Sequence, residues 1–176
     1  MTEVVAIPAP APRIVLVQAL LKGDRSELAV ELATEAGVDE VVPWAAQRCV
    51  VRWTPERAAK HLDRWRAAAV AASKQSRRAW WPTVCPLAST AEVSARLAAA
   101  QLPVVLHEAG TGSLSSVVLP ESGEIVLVVG PEGGITDTEL VAFGTPPYRL
   151  GSNVFRGSSA GAFATAALST KIGRWA

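Results

Sequence analysis

The residues best suited to chemistry fall in three short stretches of the second half of the chain. They are Leu106-His107-Glu108, Gly130-Pro131-Glu132-Gly133-Gly134, and Leu150-Gly151 running on to Ser159. Each follows an apolar run of strand length. In open α/β sheets, ligands sit at the carboxyl ends of strands. Glycines there allow positive φ and leave the backbone bare, so a ligand can lie against main-chain N–H and C=O groups. A tight strand-to-helix turn with no ligand explains any one stretch equally well. If the three strands are neighbours, however, their loops converge on one edge and form one pocket. The glycine loop could also hold a phosphate at a helix N-terminus, but it lacks the Gly-Lys-Ser/Thr ending of a P-loop.

The elements that must position these loops are legible from local pattern. Ile125-Val126-Leu127-Val128-Val129 is uninterrupted, mostly β-branched and bounded by turn residues, which reads as a strand buried on both faces. Beyond the glycine loop, Thr136 and Glu139 have capping-box spacing and open a helix. Residues 103–106 and 148–150 are short strands leading into the other two loops. A last helix over about 158–170 is rich in Ala, Gly and Ser, small enough to back onto other backbone.

In the first half, 13–20 is a buried strand and 22–24 a turn. Asp24 to Glu27 caps a helix that Gly37 stops near residue 36. Residues 38–44 form a second strand, and 48–53, with charges at its ends, a third. Thr54-Pro55-Glu56 opens the longest helix with an N-cap, a first-position proline and a dipole-compatible acid. Apolar residues at 58, 62, 65, 69 and 72 bury one face. Trp80-Trp81-Pro82 breaks this helix, and Ser89 with Glu92 caps the next, to about residue 101. Strand–helix alternation throughout predicts an α/β fold with a mostly parallel sheet flanked by helices.

The chain has 176 residues, 49% apolar and 19% charged, which fits a folded body with one sizeable core and excludes a disordered chain. Seventeen Lys and Arg nearly balance sixteen Asp and Glu. Basic residues exceed acidic ones over 13–78, so that half is the one suited to an anionic partner. The prolines of 1–12 read as a linker. Cys49 and Cys85 show neither disulfide nor metal spacing, so no metal site is expected and a reducing compartment fits. With no secretory leader pattern and no bilayer-length apolar run, the expected location is the cytoplasm.

Val129-Gly130-Pro131-Glu132-Gly133-Gly134-Ile135, followed by Leu150-Gly151 and Arg156, resembles the signature of the SPOUT methyltransferases. More narrowly it resembles the ribosomal small subunit methyltransferase E family. The runs 18–25 and 35–43, Arg48, Arg64-Trp65 and Gln75-Ser76-Arg77-Arg78 resemble the same family in order and spacing. The resemblance implies methylation of uridine N3 in 16S rRNA with S-adenosylmethionine as donor, a C-terminal deep trefoil knot, and a homodimer.

It assigns Leu106, His107 and Glu108 to the first donor-binding loop. Gly130, Pro131, Glu132, Gly133 and Gly134 fall to the second, and Leu150, Gly151, Val154 and Phe155 to the third. Arg156 matches the arginine near the transfer site, where it would stabilise a developing uracil anion. Gln75, Arg77 and Arg78 become RNA contacts, against the simpler reading that they complement the helix end. His107 and Glu108 are candidates for accepting the uracil proton.

This sequence departs from the family pattern at Asn153, where an arginine is usual, and at Ser158, where a glutamate is usual. Family members also carry an N-terminal PUA-like RNA-binding barrel, so 13–176 is expected to be the catalytic domain alone, preceded by a linker remnant. The altered third loop leaves room for a competing reading: a catalytically impaired SPOUT-fold module for RNA binding or assembly.

Overall fold

A computed structural model describes residues 6–175. The proline-rich segment is followed from residue 6; its first part, 1–5, and residue 176 lie outside the described residues. Strands β1 (Arg13–Ala19), β2 (Glu40–Trp44), β3 (Thr83–Val84), β4 (Leu102–Leu106), β5 (Gly112–Ser113), β6 (Glu124–Val129) and β7 (Pro147–Arg149) form one sheet. Its order is β3-β2-β1-β6-β4-β7-β5, and every described pair is parallel. Residues 14–19 of β1 and 125–129 of β6 are buried, as expected where helices cover both faces of a parallel sheet.

The helices are α1 (Arg25–Ala36), α2 (Pro55–Gln75), α3 (Thr90–Ala99), α4 (Asp137–Phe143) and α5 (Gly157–Lys171). α1 packs between α2 and α5, while α3 packs on α4. These layers lie on opposite faces, because successive strand residues point to opposite sides. Leu16 meets Gly161 of α5, whereas Val17 faces the groove beside Val93 and Arg96 of α3. A Cβ on Gly161 would stand 2.8 Å from Leu16 Cδ2, so the small residues of α5 do permit its close approach to the sheet. No helix among the described residues is long and apolar enough to cross a membrane.

Two capping boxes form as their spacing predicts, at Ser89 with Glu92 and at Thr136 with Glu139. Asp24 and Thr54 precede their helices without a side-chain cap. Residues 48–53 are not a strand. They form the open connection from β2 to α2, with Val50 75% exposed, because the edge of β2 is already taken by β3, two residues too short to announce themselves. Trp53 turns onto α2, stacking on His61 and meeting Trp65 edge-on. α2 ends at Gln75, well before the Trp-Trp-Pro run.

The amino ends of the strands are tied by ion pairs. Arg13 donates to Glu40 at 2.7 Å and Glu124 at 2.9 Å, and Arg96 of α3 bridges the same two carboxylates. Burial opposes ionisation of Glu40, but hydrogen bonds from Arg96, Cys85 and Arg13 outweigh it and hold its carboxyl below the ordinary glutamate value. Burial and the neighbouring Glu40 push the Cys85 thiol up to about 11, so it stays protonated and donates to that carboxylate.

A carboxyl depressed in the folded state contributes stability that is complete above its unfolded value and is lost as pH falls through the folded one. Glu40→Gln should therefore cost about 2 kcal/mol near neutral pH, a buried-pair loss moderated by partly exposed partners. That difference should shrink as urea unfolding is repeated below the ordinary glutamate range; a difference independent of pH would contradict the assignment.

Candidate active site

Strand register brings the three loops together. Leu106, the last residue of β4, is level with Val129 of β6 on one side and Tyr148 of β7 on the other. The chain therefore leaves all three strands at one edge. The loop residues predicted from the sequence, at 106–108, 130–134, 150, 151, 154 and 155, line one cavity of about 620 Å³ together with Arg156. That is within the usual range for small-ligand sites.

Each loop is held by its own backbone and by close approach. The His107 amide donates to the Tyr148 carbonyl at 3.0 Å, and the Gly110 amide returns to His107. A Cβ on Gly110 would lie 2.6 Å from the Tyr148 carbonyl carbon, so this crossing excludes any side chain. In the second loop the Gly134 amide donates to Pro131, with Gly134 at φ +77°, a conformation that favours glycine. A Cβ on Gly157, at the start of α5, would meet the Gly130 carbonyl oxygen at 3.1 Å and Leu21 Cδ2 at 3.1 Å. The amino end of α5 thus stands directly behind the glycine loop, and its first turn faces the cavity through Gly157 and Ser158.

Glu139 fixes this arrangement from below. It is fully buried. Its carboxylate accepts from Thr136 N and Oγ1, both at 2.9 Å, from the Gln47 amide at 2.8 Å, and from Thr90 Oγ1 at 3.4 Å. One side chain therefore caps α4 and anchors the loop after β2 beside the glycine loop. Arg48, the next residue of that loop, donates from Nη1 to the Gly133 carbonyl at 3.1 Å. Lys22 N donates to Glu132 at 3.3 Å, and Arg25 Nη1 lies 3.7 Å from the same carboxylate.

Arg25, Arg48 and Arg149 line the cavity but are absent from the loop positions picked out by sequence. Both were legible only as positions resembling the family, Arg25 within a matching run and Arg48 by itself, and Arg48 was at the same time read as the start of a strand. The guanidinium groups of Arg149 and Arg156 are exposed and, among the described residues, have no partner. The His107 ring accepts from the Ala109 amide at Nδ1, 3.1 Å away.

The expected RNA contacts at the end of α2 are not brought to this cavity. Ser76 and Arg77 close α2 with a Schellman turn in which Arg77 takes φ +55°, and this turns Arg78 inward. Arg78 donates to the carbonyls of Thr34 at 2.9 Å and Val38 at 2.5 Å and pairs with Asp39 at 3.5 Å. Its guanidinium is thus engaged within the chain, an arrangement that the expectation of an RNA contact does not include. Gln75 and Arg77 are exposed beside it, at the amino edge of the sheet. α2, 21 residues long, spans about 30 Å from the cavity side to that edge.

A parallel α/β sheet with three backbone loops around a cavity at its carboxyl edge is matched by comparison with known proteins. Residues 8–169 match the model of the RNA methyltransferase domain. The chain is 44% identical to ribosomal RNA small subunit methyltransferase E of Mycobacterium bovis, over 97% of this chain and 68% of that protein. It is 29% identical to the protein of the same name in Bacillus subtilis, over 89% and 65%. The crystal structure of ribosomal RNA small subunit methyltransferase E from Neisseria gonorrhoeae, bound to S-adenosyl methionine, matches with a TM-score of 0.78 at 30% identity. That match covers 91% of this chain and 66% of the other. These matches and the site define an RNA methyltransferase domain. Within that class, the chain belongs to the ribosomal RNA small subunit methyltransferase E family.

Replacing Glu139 by Ala removes a helix cap and deprives the part-buried Gln47 amide of its partner. We expect a loss of about 2–3 kcal/mol in urea unfolding. Residues 45–48 should also become the first to exchange their amides; an unchanged exchange pattern there would show that Glu139 does not hold this loop.

Proposed function

We propose that this chain methylates N3 of a uridine in 16S ribosomal RNA, using S-adenosylmethionine as donor. The observation that carries the reading is the single cavity enclosed by the loops after β4, β6 and β7, in a chain whose residues 8–169 match an RNA methyltransferase domain. The residues fit such a donor. At Gly151 a Cβ would meet only Phe155 Cε2, at 4.0 Å, main-chain groups line all three loops, and the carboxylates of Glu108 and Glu132 among the lining would complement a cationic sulfur. Leu106, His107 and Glu108, the 130–134 loop, and Leu150, Gly151, Val154 and Phe155 are the proposed donor-binding residues.

When bound, S-adenosylmethionine supplies a methyl group made electrophilic by its positively charged sulfur. The chain's task is then to align the accepting nitrogen and to stabilise the charge that nitrogen needs. Uracil N3 carries a proton near neutral pH, and its loss leaves negative charge shared with the ring oxygens. Arg156, at the amino end of α5, places an unpaired guanidinium at the cavity. The first-turn amides of this 15-residue helix add partial positive charge in the same place. Glu132 is engaged by Lys22 and Arg25, and His107 Nδ1 already accepts from the Ala109 amide. Glu108 is thus the carboxylate left to accept the proton, directly or through water.

The deep trefoil knot belongs to this proposal, supported by the passage of α5 directly behind Gly130. The homodimer is supported by Val154 and Phe163, which remain 77% and 53% exposed beside the site. A cytoplasmic location belongs to the same proposal, supported by relatives named as ribosomal RNA methyltransferases. An impaired RNA-binding module is the second reading, favoured by Asn153 and Ser158 in the third loop.

Methyl transfer from labelled S-adenosylmethionine to 16S rRNA or to 30S particles, followed by nucleoside analysis, tests the proposal. N3-methyluridine is the expected product. Donor binding in calorimetry without methyl transfer would favour the second reading. Arg156→Ala should lower turnover by about 100-fold or more while donor affinity stays within about twofold. Gly157→Ala should instead weaken donor binding, because the added methyl pushes α5 away from the Gly130 carbonyl. Equal losses of binding in both variants would mean that Arg156 acts on the donor and not on the uracil.

A further inference from the structure

We propose that Arg25 and Arg48 form a phosphate clamp at the mouth of the cavity, holding the RNA backbone beside the target uridine. The inference rests on the RNA methyltransferase reading and names the face from which RNA enters. In the strand order, β4 and β7 lie on one side of β6, while β1 and β2 lie on the other. The loops after β4, β6 and β7 carry the proposed donor contacts. The remaining lip of the same cavity is supplied by the loops after β1 and β2, and its cations are Arg25 and Arg48.

Both guanidinium groups are placed, yet neither is used up. Arg48 spends one N–H on the Gly133 carbonyl at 3.1 Å. Arg25, half exposed, stands 3.7 Å from Glu132. A guanidinium has five N–H donors in a fixed fork, and phosphate is the group that takes two of them at once. The lip also adjoins the proposed transfer site: Gly157, next to Arg156, packs against Leu21, which leads into the Lys22–Arg25 turn. A uridine reaching Arg156 from this side would carry its flanking phosphates past Arg25 and Arg48. The amino edge of the sheet, with Gln75 and Arg77, lies a helix length away.

The test compares the whole chain with Arg25→Ala, Arg48→Gln, the double variant and Arg77→Ala. Arg48→Gln retains a donor toward Gly133, and Arg25→Ala leaves the core untouched, so both should fold. Affinity for 16S rRNA is measured across a potassium chloride series, and donor affinity by calorimetry. Each neutralised phosphate contact lowers the log–log salt slope by about 0.7–0.9. The double variant should therefore lose about 1.5 from the slope and at least about tenfold in RNA affinity at low salt, with donor affinity within about twofold. Arg77→Ala should keep the slope. An unchanged slope in the double variant, or a slope that falls only in Arg77→Ala, would overturn the clamp, and active methylation by the wild type would leave the enzymatic reading standing. A lowered slope in a chain that transfers no methyl group would support the clamp and sink the enzymatic reading.

Discussion

The constraint on which the site depends is the register of three parallel strands. Leu106 is level with Val129 and Tyr148, and parallel strands share one direction, so their outgoing loops must leave from one edge. Convergence is thus a property of the pairing and not of the loops. The register is itself firmly set. A one-residue slip exchanges the two faces of a strand, and β6, with 125–129 buried between helix layers, has no solvent face on which a misplaced side chain could be tolerated.

Register alone would leave the loops side by side; the missing Cβ atoms let them interlock. Gly110 crosses the Tyr148–Arg149 backbone at a distance no side chain permits, and Gly157 lets α5 begin against the Gly130 carbonyl. The wall of the cavity is therefore largely main chain, which recognises a ligand by hydrogen-bond direction without offering groups that titrate. Chemistry that needs charge is left to a few side chains at the rim. Glu139 then couples the two kinds of structure: one buried carboxylate holds the amides of Gln47 and Thr136 together, so the Arg48 loop and the glycine loop are positioned by a single group.

What could be read from sequence follows the range of the interactions. The two capping boxes are contacts three residues apart, and the β6 run is a local composition; both were legible. So were the residues of the three loops, because each lies next to a recognisable strand end. Strands β3 and β5, two residues each, carry no periodicity and exist only through their neighbours. The 48–53 segment has strand composition but no free edge to join, a fact settled by β3, more than thirty residues later. Arg78 shows the same limit. Its basic neighbours suggest a surface patch, whereas its partners, Thr34, Val38 and Asp39, are set by how α2 returns to the start of β2. Arg25 and Arg48 reach the cavity only because β1 and β2 sit beside β6 in the strand order.

The arginines divide by the edge of the sheet they occupy, and this division separates stability from function. At the amino edge the four guanidinium groups that are not fully solvent-facing are matched. Arg13 and Arg96 share Glu40 and Glu124, while Arg78 and Arg174 share Asp39, with backbone carbonyls taking further donors of the last two. Removing a partner there leaves a half-buried charge with one opposing group fewer. At the carboxyl edge four arginines face two glutamates around the cavity, and most of their donors point to solvent. An excess of cations with free donors repels itself and contributes nothing to folding; a polyanion laid across that edge relieves the repulsion. The same residue type thus locks one end of the sheet and leaves the other end charged for its substrate.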